Sequence, residues 1–198
     1  MKEQKFKVIG ITPLATHNNQ TANPLNPYAK VLKILTSKRK KTDQDVMEIA
    51  RIEWEAGLYL HEGIVAIPAR CLDATFLKAA KKTKNGVKYK EGAMVLEDYC
   101  PLNYRPPKIK IKENNQIPNP ELDRFYGTTN YQDMVKVGNS MILRTRPIFN
   151  EWSLEFTMMF DENIFDLRTI KDIIDTAGKY VGLCEERPRK GKFEIEKI

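Results

Sequence analysis

The sequence predicts an α+β fold in which helices cover one face of an antiparallel sheet. Several short segments alternate apolar and polar residues, as half-buried strands do, and others carry an apolar stripe at helical spacing. Strands followed by helices occur twice along the chain, with short hairpins between them. We therefore expect a ferredoxin-like β-α-β-β-α-β core elaborated by a long loop insertion, within a single domain over residues 1–198.

The first elements are a strand, a loop and a short helix. The segment KFKVIG predicts a strand with Phe6 and Val8 directed inward. The Asn-, Thr- and Pro-rich stretch after it has turn chemistry and no period, which indicates a loop. Asn26 and Pro27 then suit the N-cap and the first position of a short helix.

A longer helix, a hairpin and a third helix follow. Thr42 and Asp45 resemble a capping box that opens the longer helix, and Gly57 can end it. Two apolar runs on either side of residues 62–63, a Glu-Gly pair, predict the hairpin. Apolar residues at helical spacing predict the third helix over residues 70–82.

The middle of the chain is its least regular part. A turn at Asn85-Gly86 and an apolar run at residues 93–96 predict a pair of strands. Residues 100–133 contain five of the eleven prolines and show little periodicity. We interpret this segment as a long insertion or binding arm, with one strand at KIKIK, because loops of such length are usually functional or mobile.

The last third predicts a hairpin, a strand, a helix and a final strand. The hairpin turns at Gly138-Asn139, and WSLEFTMMF alternates as a half-buried strand does. Asp166 suits the N-cap of the helix, and KFEIEKI is the final strand. Two apolar rows should pack together on one face of the sheet: Trp152, Phe156 and Phe160 from the strand, and Ile170, Ile173 and Ile174 from the helix.

Composition narrows the possible functions. Lys and Arg number 33 against 26 Asp and Glu, a net charge of +7 that biases the protein toward polyanions. Three widely separated cysteines argue against a disulfide framework and a clustered zinc site, and two histidines leave little material for a metal or acid–base site. A charged first segment and the lack of an apolar run of about 18 residues indicate a cytoplasmic protein.

Catalytic patterns are weak. Cys71 lies near a predicted helix start but has no convincing histidine partner, so a buried structural cysteine is the better interpretation. The acidic pairs at residues 161–162 and 185–186 lack a nuclease spacing, and no phosphate-binding loop or dinucleotide fingerprint occurs. We expect a protein that is not an enzyme and that carries no cofactor and no metal.

Basic residues concentrate in five segments, at predicted loops, helix ends and strand margins. Six aromatic side chains, Tyr89, Tyr99, Tyr104, Phe125, Tyr126 and Tyr131, are interleaved with them as possible stacking platforms. A single segment is best interpreted as a solvated surface, whereas the five together favour nucleic-acid binding. The candidate binding residues are Lys38, Arg39, Lys40, Lys41, Lys81, Lys82, Lys84, Arg144, Arg146, Arg187, Arg189 and Lys190.

Arg144 and Arg146 are the most specific of these candidates. Residues two apart on a strand share one face and lie about 7 Å apart, close to the spacing of consecutive phosphates. Alternatively, the two arginines pair with Glu151, Glu155 or Asp161 across the sheet. A second Arg-Pro element, RPRKGKF, near the other end of the same predicted sheet favours one shared basic surface.

Four segments resemble an uncharacterised family of bacteriophage proteins: KRKKTDQDVMEIARIEWEAGLYL, GIVAIPARCLDATFLKAAKK, RTRPIFNEWSLEF and AGKYVGLCEERPRKGKFEI. More distantly, the strand, Ile67-Pro68 and helix order, and the glycine-containing loop before the last strand, are similar to the repeat-associated (RAMP) proteins of CRISPR effectors. Those proteins have ferredoxin-like folds and bind RNA. The resemblance implies a phage-encoded, non-catalytic nucleic-acid binder.

The sequence thus predicts a protein in the cytoplasm of a bacterial host that binds single-stranded DNA or RNA through its basic loops and the open sheet face, with possible self-association. The alternative is a phage interaction or counter-defence protein that docks on a host or phage protein complex. A metal-dependent nuclease is the third hypothesis.

Overall fold

The computed structural model describes residues 1–105, 107–112 and 116–196. Contacts divide the chain into two compact units. Unit 1 comprises Met1–Ala15, Val65–Pro106 and Phe149–Ile198, and unit 2 comprises Thr16–Ile64 and Pro107–Ile148. Both units contain helices and strands, and the strand pairs are antiparallel, which confirms the α+β class. The single domain with an arm at 100–133 stays a prediction.

Strands and short helices alternate irregularly along the chain. The strands are β1 (Lys2–Gly10), β2 (Leu14–Ala15), β3 (Leu60–His61), β4 (Ile64–Pro68), β5 (Ala93–Val95), β6 (Tyr99–Tyr104), β7 (Asn130–Val137), β8 (Ser140–Phe149), β9 (Trp152–Phe160) and β10 (Phe193–Ile195). The α-helices are α1 (Pro27–Thr36), α2 (Asp43–Gly57), α3 (Ala69–Lys82), α4 (Gly86–Gly92), α5 (Asp123–Thr129) and α6 (Leu167–Thr176). Within the described ranges, no helix has the length and apolar character that crossing a membrane requires.

The sheet of unit 1 has the strand order β10-β1-β9-β6-β4, and β5 also pairs with β9. The neighbouring strands are antiparallel, and Phe6 of β1 lies opposite Phe156 of β9. The ring of Phe156 lies 5.8 Å from that of Phe6 and 5.3 Å from that of Phe76 on α3. The predicted burial of the two apolar rows is confirmed, since each member is at most 3% exposed: Trp152, Phe156, Phe160, Ile170, Ile173 and Ile174.

Helix starts follow the predicted caps. The side chain of Asn26 accepts a hydrogen bond from the backbone of Tyr28, so α1 begins at Pro27 as expected. Thr42 and Asp45 form the reciprocal capping box of α2. Asp166 accepts from the backbone of Thr169 at 2.6 Å and caps α6. These helix boundaries are local properties of the sequence, because a short polar side chain satisfies backbone donors within its own turn.

The strand predicted after Asn85-Gly86 is wrong, because residues 86–92 form α4 and the chain becomes extended only at β5. Tyr89, which is 3% exposed, donates to the carboxylate of Asp73 on α3 at 3.0 Å. The same carboxylate oxygen accepts the backbone N–H of Val95 at 3.1 Å. Asp73 thus binds α4 and β5 to α3, and burial raises its pKa. A turn signal at Asn-Gly does not distinguish a hairpin from a helix start.

The predicted arm at residues 100–133 is more regular than expected. Its beginning belongs to β6, which pairs with both β4 and β9, and its end contains α5. KIKIK is not a strand: Lys110 forms an isolated bridge with Ile64, and Ile109 is 2% exposed. Pro106 and residues 113–115 of this segment lie outside the described residues. At Ile109 and Lys110, single contacts rather than a repeating strand pattern place the chain.

Candidate nucleic-acid interface

Arg144 and Arg146 lie on one face of β8 and line the same cavity in unit 2, of about 350 Å³. The hairpin of β7 and β8 is antiparallel and turns at Gly138, as predicted, with Asp133 opposite Arg144. Because alternate residues of a strand share a face, both arginines reach the cavity. We call it the arginine cavity; its polar lining consists of His17, Thr21, Glu53, Lys136, Arg144, Thr145 and Arg146.

Glu53 of α2 binds the strand that carries the two arginines. Its carboxylate forms an ion pair with the guanidinium of Arg144 and accepts the backbone N–H of Thr145 at 3.0 Å. The carboxylate side chain is 9% exposed, whereas Arg144 is 40% exposed. Glu53 therefore orients the guanidinium of Arg144, and the Arg144 side chain remains partly exposed to solvent.

This pairing corrects the predicted partners of Arg144. The sequence suggested Glu151, Glu155 or Asp161, but the carboxylate comes from α2, and Glu151 instead pairs with Arg105 at 3.1 Å. The sequence indicated that Glu53 faces inward, because this residue continues the helical spacing of the apolar residues of α2. A carboxylate on an otherwise apolar helix stripe indicates a buried cationic partner.

The basic run at residues 38–41 contributes to the start of α2. The ammonium group of Lys38 lies 2.5 Å from a carboxylate oxygen of Asp45, the acidic member of the capping box. Lys41 donates to the backbone oxygen of Lys38 at 3.1 Å. Arg39 and Lys40 are exposed. Lys38 therefore has a structural role, because its ammonium group stabilises the carboxylate that caps α2.

The Lys38–Asp45 pair leads to a prediction about pH. The hydrogen bond from Lys38, followed by that from the backbone of Thr42, lowers the pKa of Asp45 from 3.8 to about 2. The folded state binds this proton more weakly than the unfolded chain. The stabilisation by Asp45 is therefore complete above pH 3.8 and is lost as the pH falls through about 2.

We expect Asp45→Asn to lower the urea midpoint at neutral pH, and the difference from wild type to shrink as the pH approaches 2. Asp43→Asn, at an exposed position of the same first turn, is the matched control. In Lys38→Ala the pKa of Asp45, followed by carboxyl-carbon NMR, should rise toward its ordinary value. An unchanged pKa would show that Lys38 does not stabilise the cap.

Lys81 and Lys84 meet in unit 1. Together with Lys90 they line an open depression where α3 ends and α4 begins. The chain reverses sharply here, since Lys84 has a φ of +61° and the backbone of Asn85 donates to Ala80 at 2.8 Å. Lys82 is exposed nearby in sequence but does not line the depression.

Arg187, Arg189 and Lys190 belong to a loop of unit 1 over residues 182–191. Its two ends join through the backbone of Leu183, which donates to Gly191 at 2.8 Å. Arg187 and Arg189 are exposed, whereas Lys190 pairs with Glu186 at 3.1 Å. Because this loop and the arginine cavity belong to different units, the shared basic surface stays a prediction.

The open sheet face of unit 1 is mixed in charge. The positions of β1 and β9 that alternate with the core residues carry acidic, basic, neutral polar and apolar side chains, none of them aromatic: Glu3, Lys5, Lys7, Ile9, Ser153, Glu155, Thr157 and Met159. Lys7 lies opposite Glu155 and pairs with Glu196 at 2.9 Å. These two strands offer no surface for base stacking.

Three of the predicted stacking platforms are wrong. Tyr89, Tyr104 and Phe125 are each at most 6% exposed. Tyr89 donates to Asp73, and the ring of Tyr104 lies 4.7 Å from that of Phe149. In sequence Tyr89 lies between Lys88 and Lys90, because a buried aromatic residue and exposed lysines occupy different faces of one amphipathic helix.

The three cysteines are free. The thiols of Cys71 and Cys184 are hydrogen-bonded to each other, and this contact, with burial, raises the pKa of Cys184. Burial raises the pKa of Cys100 to about 12. Neither raised pKa favours a thiolate nucleophile. Within residues 1–105, 107–112 and 116–196, no group of three His, Cys, Asp or Glu side chains could hold a metal ion.

The geometry thus brings together Arg144 and Arg146 in one cavity and Lys81 and Lys84 in one depression, and gives Lys38 a capping role. Lys136, which lines the arginine cavity, was not among the candidates from sequence. It lies on β7, the strand that pairs with β8, opposite Met141. No protein-family model matches the chain, and no curated protein is significantly similar to it.

Proposed function

We propose that this protein is a non-catalytic, phage-encoded binder of single-stranded DNA or RNA that acts in the cytoplasm of a bacterial host, with the arginine cavity as its main phosphate site. One observation supports this most: Arg144, Arg146 and Lys136 line the same cavity. Phosphate oxygens are the usual partners of such groups, because a guanidinium offers a fixed fork of N–H donors. The phage origin is supported by the resemblance of four sequence segments.

Preorganisation supports the role of Arg144. Its contact with the largely buried carboxylate of Glu53 limits the orientations of the guanidinium before a ligand arrives. A side chain that is already ordered loses less conformational entropy on binding. The lining of the cavity contains three basic residues and one acidic residue, Glu53, a composition that favours an anion.

The strand order of unit 1 supports a ferredoxin-like core. In that fold the last strand lies beside the first, the third follows and the second is at the edge, and each helix connects parallel strands across an intervening one. The order β10-β1-β9-β6 corresponds to this arrangement, with α3 before β6 and α6 before β10. β4 then extends the sheet beyond β6.

A salt series on a labelled oligonucleotide tests the proposal. Replacing Arg144 and Arg146 together by glutamine should weaken binding similarly for all base sequences, because phosphates carry no sequence information. The slope of log K against log salt should flatten by roughly 0.7 to 0.9 for each lost phosphate contact.

The matched control is Arg168→Gln with Lys171→Gln, which removes the same charge from exposed positions of α6 in unit 1. This variant should keep the wild-type slope. If both double variants flatten the slope equally, net charge rather than the arginine cavity drives binding.

A protein-docking role is the second candidate, favoured by apolar side chains at the end of the β7–β8 hairpin. Met134 and Leu143 lie opposite each other, and with Met141 they are 43–58% exposed. Exposed methionines are common at adaptable protein interfaces. The same salt series separates the candidates, because a docking protein would leave oligonucleotides unbound even at low salt.

A further inference from the structure

We propose that Cys71 and Cys184 form a reversible oxidation site of unit 1, at which a small-molecule disulfide converts the two thiols into one disulfide bond. This inference goes beyond the proposed function and does not depend on it. It follows from the contact between the two thiols, the backbone that holds them and the chemical difference between them.

Two elements that are distant in sequence bring the thiols together. Cys71 lies in the first turn of α3, and Cys184 lies in the loop over residues 182–191. The hydroxyl of Thr75, one turn after Cys71, lies 2.9 Å from the backbone oxygen of Cys71 and 3.3 Å from that of Gly182. The two thiols are hydrogen-bonded to each other. The contact between α3 and the loop therefore places the two sulfur atoms side by side.

The backbone at Cys184 is unusual for a cysteine. Its φ of +60° lies in the left-handed region, where a Cβ atom is unfavourable and glycine is the usual residue. The residues on either side hold it there, because the backbone N–H of Leu183 donates to Gly191 at 2.8 Å and that of Glu185 donates to Ala15 at 3.0 Å. A thiol held in an unfavourable conformation against a second thiol indicates a role for the side chain itself.

The two thiols differ in the way that disulfide exchange requires. The hydrogen bond with Cys71, together with burial, raises the pKa of Cys184, so Cys184 keeps its proton and donates it to the sulfur of Cys71. Cys71 lies near the positive end of a 14-residue helix, which favours its thiolate. Both residues are partly exposed, so a small reagent has access to them. Cys71 is therefore the attacking thiol.

The exchange has two steps. The thiolate of Cys71 attacks the small-molecule disulfide, forms a mixed disulfide and releases one small thiol. Cys184 then loses its proton, attacks the sulfur of Cys71 and releases the second small thiol. Two protein thiols and one small disulfide thus become one protein disulfide and two small thiols, and a reducing agent reverses the reaction. Disulfides of cytoplasmic proteins are usually transient in this way.

Mass spectrometry after incubation of the folded protein with oxidised glutathione tests the inference. The reaction is quenched with acid, and the remaining thiols are alkylated in denaturant before digestion. We expect a peptide that links Cys71 to Cys184 to be at least about tenfold more abundant than glutathione adducts at either residue, because a thiol already in contact reacts at a high effective concentration. Cys100, which is 0% exposed, is the internal control and should be recovered alkylated.

Urea unfolding supplies a second measurement. Oxidation should raise the midpoint of the wild-type protein, since a cross-link between residues 71 and 184 restricts the unfolded chain, and dithiothreitol should restore the original value. Cys184→Ser should lose this shift, and the matched control Cys100→Ala should keep it. Glutathione adducts without the linked peptide, a link to Cys100, or recovery of all three thiols unmodified would each overturn the inference. None of these results affects the salt series that tests oligonucleotide binding.

Discussion

Replacing Arg51 by leucine should lower the free energy of unfolding by roughly 3 to 5 kcal/mol, because it leaves the buried carboxylate of Glu55 without its counter-ion. Glu55 is 1% exposed and lies 2.8 Å from Arg51. The same carboxylate accepts the backbone N–H of Asn119 at 2.9 Å and the hydroxyl of Tyr28 at 2.9 Å. The guanidinium also lies 4.8 Å from the ring centre of Trp54.

The matched control is Arg105→Leu. Arg105 pairs with Glu151 at 3.1 Å, but the two side chains are 74% and 68% exposed. An exposed pair of this kind contributes less than about 1 kcal/mol, so this variant should unfold in urea close to the wild-type midpoint. If both variants lost the same stability, water would already solvate the carboxylate of Glu55, contrary to its burial.

This ion network also supports the arginine cavity. Arg51 and Glu55 hold α2 against the segment around Asn119, and Glu53, between them on the same helix, binds Arg144. A loosened α2 would release the carboxylate that orients Arg144. We therefore expect Arg51→Leu to weaken oligonucleotide binding as well, at temperatures where the variant is still folded.

The network shows why part of unit 2 was not predictable from sequence. Caps such as Asn26 and the Thr42–Asp45 pair act within one helical turn, so their residues suffice to place α1 and α2. The segment around Asn119 is instead held by Arg51 and Glu55, more than 60 positions away. Such contacts leave no local period, and the segment therefore resembled an unstructured arm.

The candidate site was predictable to a similar extent. Alternation along β8 was enough to place Arg144 and Arg146 on one face, and the structure adds the cavity that they line. The partner Glu53 and the neighbour Lys136 required the packing of α2 and β7. Charge density alone did not predict that Lys38 pairs with Asp45, because a lysine that completes a helix cap has the same appearance in sequence as one that binds a phosphate.

Phe156→Ala tests the core of unit 1 and should cost roughly 3 to 5 kcal/mol of unfolding free energy. Phe156 is 2% exposed, and its ring contacts Phe6 on the neighbouring strand and Phe76 on α3. Truncation removes the transfer free energy of the ring and leaves a cavity between a sheet and a helix that cannot both close on it. Phe156→Leu, which keeps much of the volume, should cost clearly less.

The control for this variant is Ile9→Ala, on the opposite face of the same sheet, where the side chain is 37% exposed. Its cost should be a fraction of that of Phe156→Ala in the same urea titration. Because Phe156 belongs to unit 1 and does not line the arginine cavity, the folded fraction of Phe156→Ala should bind oligonucleotides with wild-type affinity. Arg51→Leu should lose both stability and affinity. A loss of affinity in the Phe156 variant, measured where it is fully folded, would show that unit 1 contributes to binding.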